Sequence, residues 1–233
     1  MQGKMDDYIR TSSRKALKGQ REKYIHNSVL VYVKDRLPEN FDLDLVLSKV
    51  EKTVPPSLIQ QIDSLYVGQF EEINRRNLQS IYKDGAIYIT NEQNSEQEMF
   101  ESIIHETAHA LEEIYGLNIY ADGTVEREFM GKRQHLSGIL KAEGYLVSDE
   151  QVNSPNYSKE FDDFLYKKVG YLTLDNALRG LFLSSYAATS LREYFATAFT
   201  DFYMETNHKF LKTVSPELYE KIILLQNAEK LDF

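Results

Sequence analysis

The chain has 233 residues, 42% of them hydrophobic and 27% charged, which is enough to bury the core of one domain with a short appendage and unlike a disordered sequence. It contains no cysteine, so disulfides, thiolate chemistry and cysteine-held zinc are excluded. The net charge of −9 is uneven: residues 1–36 hold nine Lys/Arg against four Asp/Glu, a balance of +5, which leaves −14 for the remainder.

Residues 1–28 read as a polar helix, and 1–36 as a basic arm ahead of a domain spanning 37–233. Such an arm is compatible with nucleic acid, but no interleaved aromatics or recognition motif accompany it, so a solvated helix is the simpler reading and no nucleic-acid partner is expected. The opening MQGKMDDYIR lacks the apolar stretch of a signal peptide. No apolar run approaches the ~20 residues of a membrane span. A chain without a membrane anchor is expected, cytoplasmic, exported by another route, or already processed. Nothing in the sequence suggests an oligomerisation seam, and a monomer is expected.

Val29-Leu30-Val31-Tyr32-Val33 reads as a short strand and 42–51 as a helix. Pro55-Pro56 opens a helix expected to reach Leu65. Residues 79–90 read as strand, turn, strand, with Lys83-Asp84-Gly85 as the turn and Ala86-Ile87-Tyr88-Ile89-Thr90 as a β-branched and aromatic strand. Ser95 and Glu98 then form a capping box for a helix expected to stop at Gly116. The region 117–160 is polar and helical and is read as a flap, with His135 on the surface. Further helices are expected at about 123–142, 158–168, 173–183, 190–206 and 216–227. Many helices and few strands make an α+β domain dominated by helix.

The best-defined helix carries His105-Glu106-Thr107-Ala108-His109. Positions i and i+4 share a helix face, so two imidazoles there can reach one metal ion. Glu106 lies about 100° around the helix, badly placed to be a ligand but able to reach a water on the metal and take its proton. The apolar residues Phe100, Ile103, Ile104, Ala108, Leu111 and Ile114 flank the histidines. A catalytic zinc takes three protein ligands and leaves one position open. No third histidine follows at close spacing, and Glu101, Glu112 and Glu113 on the same helix are expected to face solvent. Glu193, in Ser190-Leu191-Arg192-Glu193, is the best remaining donor. By spacing alone it is equally the third residue of a capped helix.

The set HETAH, a tyrosine, and EYFATAF resembles the catalytic domain of anthrax lethal factor and the related Pro-Pro endopeptidases. The resemblance implies a zincin-like metallopeptidase fold with its sheet edge above the zinc helix. It also implies Zn²⁺ held by His105, His109 and Glu193, Glu106 as the base, and Tyr186, seven residues before Glu193, as the oxyanion donor. Ala86, Ile87, Tyr88 and Ile89 are similar to the edge strand on which the family adds a peptide substrate as an extended β-strand. Thr197 stands where the family often has an acid, in EYFAEAF, and would support a ligand histidine in its place. The expected activity is zinc-dependent endopeptidase hydrolysis. The competing expectation is an idle zincin-like binding or structural module of a phage or mobile element.

Overall fold

A computed structural model describes residues 21–204 and 207–227. The domain is α+β: a mixed five-stranded sheet followed by a largely helical half. The chain opens with a hairpin, β1 (Glu22–Ile25) and β2 (Val29–Val33), then α1 (Leu43–Thr53) and the short α2 (Pro56–Ile59). Strand β3 (Ser64–Val67), helix α3 (Glu71–Arg76) and a second hairpin, β4 (Ser80–Lys83) with β5 (Ala86–Ile89), complete the sheet. Its order is β1-β2-β3-β5-β4, with β2, β3 and β5 parallel and β1 and β4 antiparallel on the two edges.

Three sequence expectations change here. The helical reading of residues 1–28 gives way at Glu22. From there the chain is a strand, with Ile25 fully buried and paired to Val29, so the proposed arm is part of the sheet at least from residue 22. Residues 1–20 lie outside the described residues. The helix opened by Pro56 ends at Ile59, and Leu65 belongs to the central strand, where pairing on both sides outweighs weak local preference. The strand 86–89 is interior, not an edge. Asp84 and Gly85, both at positive φ, turn the chain back so that β4 lies outside β5. Both backbone edges of Ala86, Ile87, Tyr88 and Ile89 therefore face neighbouring strands, and a peptide has no room to add there.

One sheet face presents Val29, Val31, Leu65, Val67, Ile87 and Ile89, all buried. They pack toward α1 and the long helix α4 (Glu96–Tyr120), whose Met99, Phe100, Ile103, Ile104 and Leu111 are buried. Ser95 caps α4 by accepting from Glu98 N at 3.2 Å. That cap contributes about 1 kcal/mol, whereas each large apolar side chain buried contributes about 1.5–3 kcal/mol. The sheet, more than the cap, decides where the helix lies. The helix bends at Tyr115 (φ −106, ψ 15), one residue before the expected stop at Gly116, and then continues to Tyr120.

The second half runs α5 (Thr124–Ala142), α6 (Asp149–Val152), α7 (Lys159–Asp163), a π-helical turn (Phe164–Val169), α8 (Tyr171–Leu178), a 3₁₀ turn (Tyr186–Ala188), α9 (Leu191–Tyr203), α10 (His208–Val214) and α11 (Pro216–Leu225). Helix α5 is not a flap. Its Val125, Phe129, Leu136 and Leu140 are buried in the common core, while His135 is exposed as expected. Arg133 on α5 is also fully buried, with its guanidinium 4.1 Å from the Phe161 ring centre and 5.3 Å from that of Phe129. It donates to Ala188 O (3.1 Å), Thr189 O (3.2 Å) and Gln151 O, so one cation ties the 3₁₀ turn to the body. Helix α9 packs along α4. Its Tyr194 is fully buried and donates to Glu128 Oε1 at 2.7 Å, while Lys132 Nζ donates back to its hydroxyl at 2.5 Å. No helix among the described residues is long and apolar enough to cross a membrane.

Candidate metal centre

Helix α4 places His105 and His109 one turn apart, with ring centres 5.0 Å apart and planes at 84°. Helix α9 supplies the third group. Ser190 Oγ accepts from Glu193 N at 3.2 Å and so caps the helix. The Glu193 carboxylate turns away from that cap: Oε2 lies 3.1 Å from His105 Nε2 and Oε1 lies 3.6 Å from His109 Nε2. One donor atom from each of the three residues falls within 4.8 Å of the others. Donors about 2.0–2.1 Å from a common tetrahedral centre stand roughly 3.3–3.5 Å apart. The Glu193 carboxylate meets His105 Nε2 through one oxygen at 3.1 Å and His109 Nε2 through the other at 3.6 Å, each close to that spacing, so the three residues fit a metal ion.

The electrostatics agree. Burial pushes the Glu193 carboxyl up, but hydrogen bonds from His105 and His109 outweigh it and hold it at about 2. Burial pushes His109 down, but bonds with Glu112 and Glu193 outweigh it and lift it to about 10. The cluster thus favours positive charge between its donor atoms, whether protons or a divalent cation.

Glu112 is the residue that sequence reasoning missed. Expected at the surface, it is only 9% exposed and lies 3.0 Å from His109 Nδ1 through Oε2. It also accepts from Tyr120 OH and from Arg192 Nε at 3.2 Å. A histidine that binds metal through Nε2 carries its proton on Nδ1, and a carboxylate there fixes the ring and raises its basicity. The signal was present in the sequence, because position i+3 from His109 shares its helix face. Thr197 does not fill that role: it is half-buried, and its side chain makes no hydrogen bond among the described residues. The supporting carboxylate comes from α4 itself.

Glu106 is 5% exposed and faces β4. Its Oε1 accepts from Ser80 Oγ and its Oε2 from Tyr82 N, each at 2.7 Å. Its charge contributes to the upward shifts of both His109 and Tyr186, which places it beside the cluster. No sequence signal pointed to Ser80, because the contact joins elements that are local only after the sheet forms.

Tyr186 opens the 3₁₀ turn, with its ring centre 6.4 Å from that of His105. It is 43% exposed, yet burial, and then the Glu193 carboxylate, push its phenol well above the usual 10. The hydroxyl therefore keeps its proton at neutral pH. The structure brings together His105, His109, Glu193, Glu106 and Tyr186. It leaves Ala86, Ile87, Tyr88 and Ile89 in the sheet interior. Neither a family model, nor a curated protein, nor a solved structure matches this chain.

Proposed function

We propose that this protein is a zinc-dependent endopeptidase of zincin-like architecture. The observation that carries the reading is the convergence of two α4 histidines and one α9 carboxylate, with Glu106 and Tyr186 beside them. Zinc, the ion best suited to a His₂Glu set with an open position, would acidify a water toward neutrality and polarise a peptide carbonyl. Glu106 takes a proton from the attacking water and returns it to the departing amine nitrogen. Its two bonds to β4 fix the carboxylate and leave lone pairs free for that water. Tyr186 donates a hydrogen bond to the carbonyl oxygen as charge develops on it. The substrate lies extended along the free edge of β4, the strand that touches the base.

The test is digestion of a mixed peptide library, with and without a chelator. Expected is cleavage that stops on chelation and returns with added zinc. An idle binding module would hold the same metal and cut nothing. Tyr186→Phe is expected to slow turnover roughly 10²-fold, the cost of one oxyanion donor, while zinc stoichiometry stays unchanged. Turnover equal to the parent's would remove Tyr186 from the reaction.

A further inference from the structure

A groove of about 320 Å³ opens directly beside His105. Its floor is one stripe of α4, made by Glu98, Glu101 and Ser102 at seven, four and three residues before His105. That spacing keeps all of them on one helix face. Thr200 of α9, seven residues after Glu193, forms the side wall, and Gln79 and Ser80 at the start of β4 form the rim. The volume is at the small end for ligand sites and suits one side chain rather than a whole small molecule.

Every lining residue is polar. Glu98 and Glu101 have no lysine or arginine partner among the described residues; they accept only from the neutral amides of Asn94 (2.9 Å) and Gln97 (3.1 Å). Lys49 reaches the same helix but is committed to Gln97 Oε1 at 2.6 Å and to the Phe100 ring. Glu101 also acts on Asp201 of α9, whose carboxyl is pushed upward first by burial and then by the Glu101 charge. An acidic substrate side chain would be repelled and a cationic one attracted.

Backbone alternation sets which side of the cleaved bond the groove serves. Gln79 O accepts from Thr90 N at 2.9 Å, so residue 79 faces inward to β5, and Ser80 and Tyr82 face outward. The Tyr82 N–H is taken by Glu106. Ser80 therefore offers the free N–H and C=O for a peptide. Antiparallel pairing is the more stable arrangement for an added strand, and a peptide antiparallel to β4 runs past Tyr82 first and reaches Ser80, Gln79 and the groove with residues C-terminal to the bond. We propose that this groove is a binding pocket for a lysine or arginine side chain on the carboxyl side of the cleaved peptide bond. The inference rests on the peptidase reading above.

The test is a randomised peptide library cleaved by the zinc-loaded full chain, with cut sites read by mass spectrometry. It is repeated with Glu98→Gln/Glu101→Gln, two exposed positions outside the metal cluster. Expected is cleavage ahead of Lys or Arg about tenfold more often than ahead of Leu or Glu, the scale of charge-assisted contacts. The double variant should lose that preference while its zinc content matches the parent's. Cleavage without a basic preference, or a preference that survives the double variant, overturns the pocket and leaves the peptidase reading intact. No cleavage by protein that holds stoichiometric zinc overturns both.

Discussion

Glu106→Gln is expected to lower peptide cleavage by about 10³-fold, within the range of one positioned proton acceptor, while zinc remains bound. The amide has the size of the carboxylate: its oxygen can keep accepting from Tyr82 N while its NH2 group donates to Ser80 Oγ, so the fold around the site has no reason to change. What it lacks is basicity: it cannot take the proton of the attacking water or hand one to the leaving amine. Glu106 is absent from the set of converging donors, so metal content should match the parent. The measurements are turnover of the best library peptide and elemental analysis of the same sample. A variant that still cuts at the parent's rate would place the base elsewhere. A variant that loses zinc would make Glu106 a ligand instead.

The second large effect concerns Glu193→Ala. If the carboxylate only completed a helix cap, its loss would cost under about 1 kcal/mol of stability and leave metal binding untouched. The cap, however, is made by Ser190 Oγ to the Glu193 backbone N–H, which alanine keeps. The side chain is spent on His105 and His109. Zinc affinity should therefore fall by more than the roughly 10–100-fold that a supporting group contributes, with little change in helix content. Competition against a chromophoric chelator measures the first and far-ultraviolet circular dichroism the second. Parent-like affinity would exclude Glu193 as a ligand and leave the cluster one donor short. Glu112→Ala is the informative comparison, because it removes the partner of His109 Nδ1 without touching a donor atom.

The parts of this protein legible in the sequence are those governed by near neighbours along the chain. The i, i+4 spacing put His105 and His109 on one face of a capped helix, and the turn chemistry of Asp84-Gly85 marked the hairpin. Helices expected at 42–51 and at about 123–142, 190–206 and 216–227 are observed at 43–53, 124–142, 191–203 and 216–225, because caps, prolines and periodicity act within a turn or two. Resemblance added Glu193 and Tyr186, which spacing alone left ambiguous or unmarked.

Long-range packing decided the rest. Leu65 looked helical after Pro56 because nothing local reveals that Val31 and Ile87 wait on either side of it. Once β3 takes the centre, β5 is enclosed and β4 becomes the free edge. That single placement moves the expected substrate strand from 86–89 to 80–83 and brings Ser80 and Tyr82 onto the base. The two roles of Glu193, cap and donor, were separable only when α9 packed along α4 and aimed the carboxylate at two imidazoles. A sequence encodes directly what residues within a helical turn or a hairpin must do. Which strand is left open, and which carboxylate meets which histidine, depends on burying apolar faces far apart in the chain, and only the assembled core settles that.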